Sequence, residues 1–204
     1  MLTVRMKRVR AAAVVWLAGA TVYLVCEAIA AAQAPGYSYV DDFISDLGVS
    51  AVMNYGAFMV HGSLLLIGAV VVARSIPTLG WAGWGFVIAA AANAIGNVFV
   101  GVFRSGSHWH VVGAGLAIIG GNVAAIIAGL GSRRLGASRS YRLVSVAIGV
   151  VGLACLVALI IDGANGSRLL PAGLVERGAV YSIIAWEIMT GAAILLRFRR
   201  DFRR

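Results

Sequence analysis

Charge is what this sequence has least of. Of 204 residues only 12% are Asp, Glu, Lys or Arg, while 61% are hydrophobic; soluble domains run at about 25% charged and about 45–50% apolar. That balance excludes a water-solvated globule, and no polar stretch is long enough to build an extramembrane core. Lipid is therefore the solvent for most of the chain. Cysteine is nearly missing as well. Cys26 and Cys155 both fall in apolar runs, which excludes a disulfide framework and leaves two small buried hydrophobes. Lysine occurs once, at Lys7, against sixteen arginines, and no internal repeat or low-complexity tract is evident.

What is present is apolar sequence in long runs. A helix needs about 20 mainly apolar residues to cross a hydrocarbon core of about 30 Å, and six stretches qualify: Ala11 to Ala32, Met53 to Ala73, Gly80 to Phe103, Trp109 to Gly131, Leu143 to Asp162 and Leu174 to Leu196. Backbone in lipid must satisfy its own hydrogen bonds, and these runs are too continuous for barrel strands. The expected fold is all-α, a single transmembrane domain over residues 1–204 built as a six-helix bundle. The first run follows a basic start and ends in small residues, as a cleavable signal peptide would; it is long enough to span, so it is read as a retained helix.

The few charges are distributed with a strong bias. Arg5, Lys7, Arg8, Arg10, Arg74, Arg133, Arg134, Arg139, Arg142, Arg197, Arg199, Arg200, Arg203 and Arg204 fall on one side of the runs, and Arg104, Arg168 and Arg177 on the other. The positive-inside rule puts both termini in the cytoplasm, and six crossings return the chain to its starting side. The net charge of +9 is thus read as topology. Basic residues that flank apolar runs without interleaved aromatics do not make a nucleic-acid groove, so membrane lipids, not nucleic acid, are the expected partners. The expected location is a bacterial plasma membrane, multi-pass.

Polar residues within the runs are costly, so each raises a functional hypothesis. They are Glu27, His61, His110 and Glu187, with Asp162 and Glu176 near helix ends. At 1.5 Å per residue, Glu27 lies roughly 8 Å and His61 roughly 12 Å below the outer ends of their helices, and Glu187 near the middle. Helical phase puts Trp16, Ala20, Tyr23 and Glu27 on one face, and it does the same for Asn93 with Asn97, Glu176 with Glu187, and Asn54 with His61; such faces should point inward. Gly113, Gly115, Gly120, Gly121 and Asn122 in the fourth run read as close-packing devices. Glu176 with Arg177, or Asp162 with Arg168, could form interfacial ion pairs.

The connection from Gln33 to Val52 lies on the outer side and carries Tyr37, Tyr39, Asp41, Asp42, Phe43 and Asp46 but no basic residue. A loop of this length in a compact bundle is functional or loose, and Phe43, Ile44 and Leu47 suggest a short packed piece. The functional reading gathers Asp46, His61, His110, Glu176 and Arg177 into an outward-facing polar pocket with Glu27 or Glu187 at its floor. It would bind a lipid headgroup through arginine or perform acid/base chemistry through histidine and carboxylate. No metal or cofactor is expected. His61, His108 and His110 offer zinc donors, but residues two apart on a helix face different ways and no ligand motif is present. A covalent Ser45 mechanism lacks the strand-turn-helix elbow.

Several segments together resemble the membrane proteins grouped as domain of unknown function 998 (DUF998): Ile44-Ser45-Asp46-Leu47-Gly48, Gly101-Val102-Phe103 followed by His110 and Gly113, Gly120-Gly121-Asn122, and Gly173-Leu174-Val175-Glu176-Arg177 with Tyr181 and Trp186. The resemblance covers nearly the whole chain and implies a six-helix membrane protein without an assigned reaction. The Ile-Ser-Asp-x-Gly element is also similar to one in the Frag/DRAM/Sfk group, which implies a lipid-related role. Against the DUF998 pattern, the usual proline after the first motif is absent, with Asn54 near its place, and His108 and Glu187 are additions.

The leading expectation is a protein that binds a lipid or other amphiphile in an outer-leaflet pocket, with an intramembrane hydrolase or acyltransferase as its catalytic form. A transporter or channel for a small solute is the alternative, as is a non-catalytic assembly partner that oligomerises through helix faces rich in Gly and Ala.

Overall fold

The computed structural model describes residues 2–164 and 170–201. Arg168, and with it the expected Asp162–Arg168 pair, lies outside the described residues. All regular structure within them is helical: α1 (Leu2–Ala32), α2 (Val60–Ser75), α3 (Trp81–Val102), α4 (His108–Gly131), α5 (Arg139–Ala164) and α6 (Ala172–Asp201). With the π-helical segment Val52–Met59 leading into α2, six helices are long and apolar enough to cross a membrane.

Each expected run is a helix, and several are longer than the apolar count. α1 starts before its first apolar run, α5 begins at Arg139 and α6 reaches Asp201. The apolar count measures the lipid-facing length, whereas the helix continues into the interface on arginine-rich sequence of good helix propensity. The π segment replaces the expected α-helical start of the second span. Its wider turn breaks the seven-residue alignment of Asn54 with His61: Asn54 is half-buried and donates to the Gly48 carbonyl (2.7 Å), while His61 faces the interior.

Each helix packs on its sequence neighbours, α1 closes the ring on α6, and α4 meets α6 across the interior. Glycine sets the closest approach. A Cβ on Gly96 would stand 2.3 Å from the Ala117 nitrogen, and one on Gly120 2.5 Å from the Asn93 nitrogen, so α3 and α4 touch backbone to backbone. The Gly- and Ala-rich faces are thus used inside the bundle. α5 is peripheral: only 17% of its apolar window is buried, against 39–44% in the other five. Its exposed Leu143, Val150, Val151, Val157, Ile160 and Ile161 face where lipid would lie.

The two ends differ. At the basic end, Arg134 donates to the Leu79 carbonyl (2.8 Å) and stacks on Trp81, fastening the α4–α5 connection to the α2–α3 turn. That turn passes through Gly80 at φ 56°, a conformation that costs glycine nothing. At the opposite, loop end, residues 33–51 fold back over the bundle, with Ile44 and Leu47 of the 3-10 turn Ile44–Val49 buried in it.

Candidate functional site

Three polar or hollow regions lie along the bundle axis. At the loop end Arg177, buried one turn into α6, pairs with Glu27 of α1: its Nη2 is 3.0 Å and its Nε 3.2 Å from Glu27 Oε1. Tyr181 donates to the other Glu27 oxygen (2.8 Å). The rest of the guanidinium is spent on the loop. It donates to the carbonyls of Tyr39 (2.7 Å), Asp42 (3.1 Å) and Gly173 (3.1 Å) and to the Tyr37 hydroxyl, and it lies 4.5 Å from the Tyr39 ring centre. Burial pushes the Tyr37 phenol above its usual range, opposed by the hydrogen bond and charge of Arg177. Loop backbone crosses α6 at Gly173, where a Cβ would stand 2.2 Å from the Asp42 carbonyl oxygen, and Leu174 donates to Val40 (2.9 Å). Glu176 accepts the backbone N–H of Ile44. Arg177 is therefore the fastener of the loop, and its partner is Glu27, not the adjacent Glu176.

Near mid-bundle, His61 Nε2 lies 2.8 Å from Glu187 Oε2 across the interior between α2 and α6, with the side chains 2% and 0% exposed. His61 Nδ1 and Glu187 Oε1 have no hydrogen-bond partner. Beside them is a chamber of about 40 Å³ lined by His61, Tyr23, Asn93, Asn97, Ser45 and Glu176, among apolar groups. It reaches the underside of the Ile44–Val49 turn.

Of the five residues expected to share one outer pocket, His61 and Glu176 line this chamber. The others are placed elsewhere. Asp46 is exposed, accepts from the Phe43 N–H (3.2 Å) and the Ser105 hydroxyl (3.0 Å), and so holds its turn against the α3–α4 connection. His110 is buried with Nδ1 2.9 Å from the Phe103 carbonyl oxygen and Nε2 unpartnered. Arg177 is committed to Glu27 and the loop. Among the described residues no three His, Cys, Asp or Glu side chains group as metal ligands.

The third region was not expected. At the basic end a cavity of about 690 Å³ opens among the ends of α1 to α6, within the roughly 300–1,000 Å³ of small-molecule sites. Its floor is a mutually packed set, Trp16, Phe86 and Trp186, with ring centres 5.3–5.9 Å apart. The polar groups on its wall already have partners. Tyr141 and Thr190 bond each other (3.1 Å), and Trp186 donates to Ser145 (2.8 Å). Arg5 and Arg197 also line it, are exposed, and have no partner among the described residues. Small residues, Ala82, Ala128, Gly131, Ala137 and Ala193, stand toward the basic ends of three helices and in the α4–α5 connection and leave the space unfilled.

The family described as protein of unknown function DUF998 matches residues 17–193. No curated protein and no solved structure matches the chain.

Proposed function

Since the chain belongs to the DUF998 family, whose description assigns no activity, its own geometry must supply the reading, and we propose that it binds a single-chain anionic amphiphile in the cavity at its basic end. The observation that carries this is the pairing of a 690 Å³ apolar cavity with two exposed arginines that have no partner among the described residues. The tail would lie on Trp16, Phe86 and Trp186, and a carboxylate or phosphate would meet Arg5 and Arg197, whose planar guanidinia suit either anion. From Arg5 to Trp16 the α1 axis rises roughly 16 Å at 1.5 Å per residue, a depth that suits an acyl chain. Fourteen basic residues, if this end faces the cytoplasm of a bacterial cell as the positive-inside rule has it, add a field that concentrates anions there.

Binding is better supported than acyl transfer. Ser45 and His61 line the same chamber, but its volume of about 40 Å³ is of water size, so an acyl substrate has no place beside them. A continuous solute pore is disfavoured by the packed Trp16, Phe86 and Trp186 layer.

The test is displacement of a fluorescent fatty acid from the purified protein in nanodiscs. Arg5→Ser with Arg197→Ser should weaken binding of the anionic probe about tenfold, the equivalent of about 1.4 kcal/mol, and leave a neutral monoacylglycerol unaffected. Equal binding of the anion by wild type and double variant would remove the reading.

A further inference from the structure

The His61–Glu187 pair is not used by the amphiphile reading, and it is an expensive thing to keep in a membrane. Two ionisable side chains are buried at mid-bundle and joined by one 2.8 Å contact. A fully satisfied structural pair would spend its remaining atoms on neighbours. Here His61 Nδ1 and Glu187 Oε1 are both left without a partner. His61 also lines a chamber of about 40 Å³ whose other polar walls are Asn93, Asn97, Ser45 and Glu176. A buried water needs 2–4 polar partners and only modest space, and this chamber offers both.

We propose that the pair is a proton-binding site, reached through water in the chamber from the loop end. The shared proton sits on the line from His61 Nε2 to Glu187 Oε2. It is gained from, or lost to, water at the chamber, passing by Glu176 beneath the Ile44–Val49 turn. The Trp16, Phe86 and Trp186 layer lies on the other side of the pair and closes the way to the basic cavity. Trp16, Phe86 and Trp186 do not line this chamber, whereas Ile44 and Ser45 of the loop-end turn do, so the proposed water path runs toward the loop end.

The surroundings of the pair allow one net proton to matter. From α1 come Tyr23, edge-on to His61 with ring centres 5.1 Å apart, and one turn further out Glu27. From α6 come Glu187, then Glu176, Arg177 and Tyr181 toward the loop end, and the loop contributes Asp46. On the chamber wall α3 presents uncharged Asn93 and Asn97, with Asn97 donating to the Asn93 side chain (3.1 Å), and α4 presents Ala114, Ala117 and Ile118. Arg177 is already neutralised by Glu27. Among the described residues no fixed cation therefore competes with His61 for Glu187, and the charge of the pair is set by its own proton.

The experiment is imidazole nitrogen NMR of the full chain in nanodiscs, scanned from about pH 4 to about pH 10 so as to bracket ordinary carboxyl and imidazole titrations. The chain has three histidines, so His108→Gln and His110→Gln assign the signal of His61 without touching it. The expected result is an His61 ring that changes protonation state within the scan and exchanges magnetisation with water. In Glu187→Gln the ring should stay neutral throughout. An His61 ring fixed in one tautomer over the whole scan, a titration unchanged in Glu187→Gln, or the absence of water exchange would each overturn the proposal. None of these outcomes depends on whether the basic cavity binds an amphiphile.

Discussion

Arg177 shows how a residue that reads as a ligand-binding cation becomes structural once its partners are counted. It gives hydrogen bonds to one carboxylate, three carbonyls and a phenol, and so ties α1, α6 and the loop together. Breaking a buried pair by removing one partner costs about 3–5 kcal/mol, whereas replacing both with apolar groups is often neutral. Glu27→Ala should therefore destabilise the protein by about that amount, read as a drop in the thermal midpoint in nanodiscs. Glu27→Leu combined with Arg177→Met should recover only part of the loss, since the loop carbonyls of Tyr39 and Asp42 then lose the donor that Arg177 supplies. Full recovery would mean that the loop does not rely on Arg177. The charge itself was plain in the sequence, but its partner was not. Glu27 and Arg177 are 150 positions apart, and only the closure of α1 on α6 brings them together.

At the scale of helices, glycine spacing decides which faces may touch. Gly96→Ala would drive a Cβ into the backbone of α4, 2.3 Å from a nitrogen that cannot move alone. Overpacking costs typically about 1–3 kcal/mol, occasionally more, and the upper part of that range is expected here because the clash is with backbone. Gly115→Ala on the facing helix meets nothing within 4 Å, and alanine is about 1 kcal/mol better than glycine inside a helix. It should be neutral or stabilising, and thermal midpoints of the two variants, side by side, check both. Similar losses at the two positions would show that the α3–α4 approach is not glycine-limited. Six helices, the inward faces of Trp16, Tyr23, Glu27, Asn93 and Asn97, and the packing role of Gly113, Gly120 and Gly121 could be read from the sequence, whereas Gly115, expected to pack with them, faces open space. The π segment Val52–Met59 could not be read there, because eight residues of wider winding leave the hydrophobic count of a span unchanged while rotating everything before them.

For the whole molecule, the asymmetry of charge from which the positive-inside rule predicts an orientation also points away from the large cavity. Acids and histidines collect toward the loop end, which drew the expected pocket there, yet those groups mostly satisfy one another and the loop. The large cavity formed at the other end, from the absence of side-chain volume rather than from any polar motif, and small residues such as Ala82, Ala128 and Ala193 reveal it only once the helices that carry them are brought together. Orientation gives this its functional meaning, since it decides which compartment supplies a ligand. With the cysteines Cys26 and Cys155 replaced by Ala, Asp41→Cys and Ser138→Cys place single thiols in exposed positions at the loop and basic ends respectively. The charge bias predicts that a membrane-impermeant maleimide labels Asp41→Cys in intact cells and Ser138→Cys only after permeabilisation. The reverse pattern would put the arginine-lined cavity outside the cell, where its anion would have to come from the medium or outer leaflet. The proton of His61 and Glu187 would then be drawn from the cytoplasm.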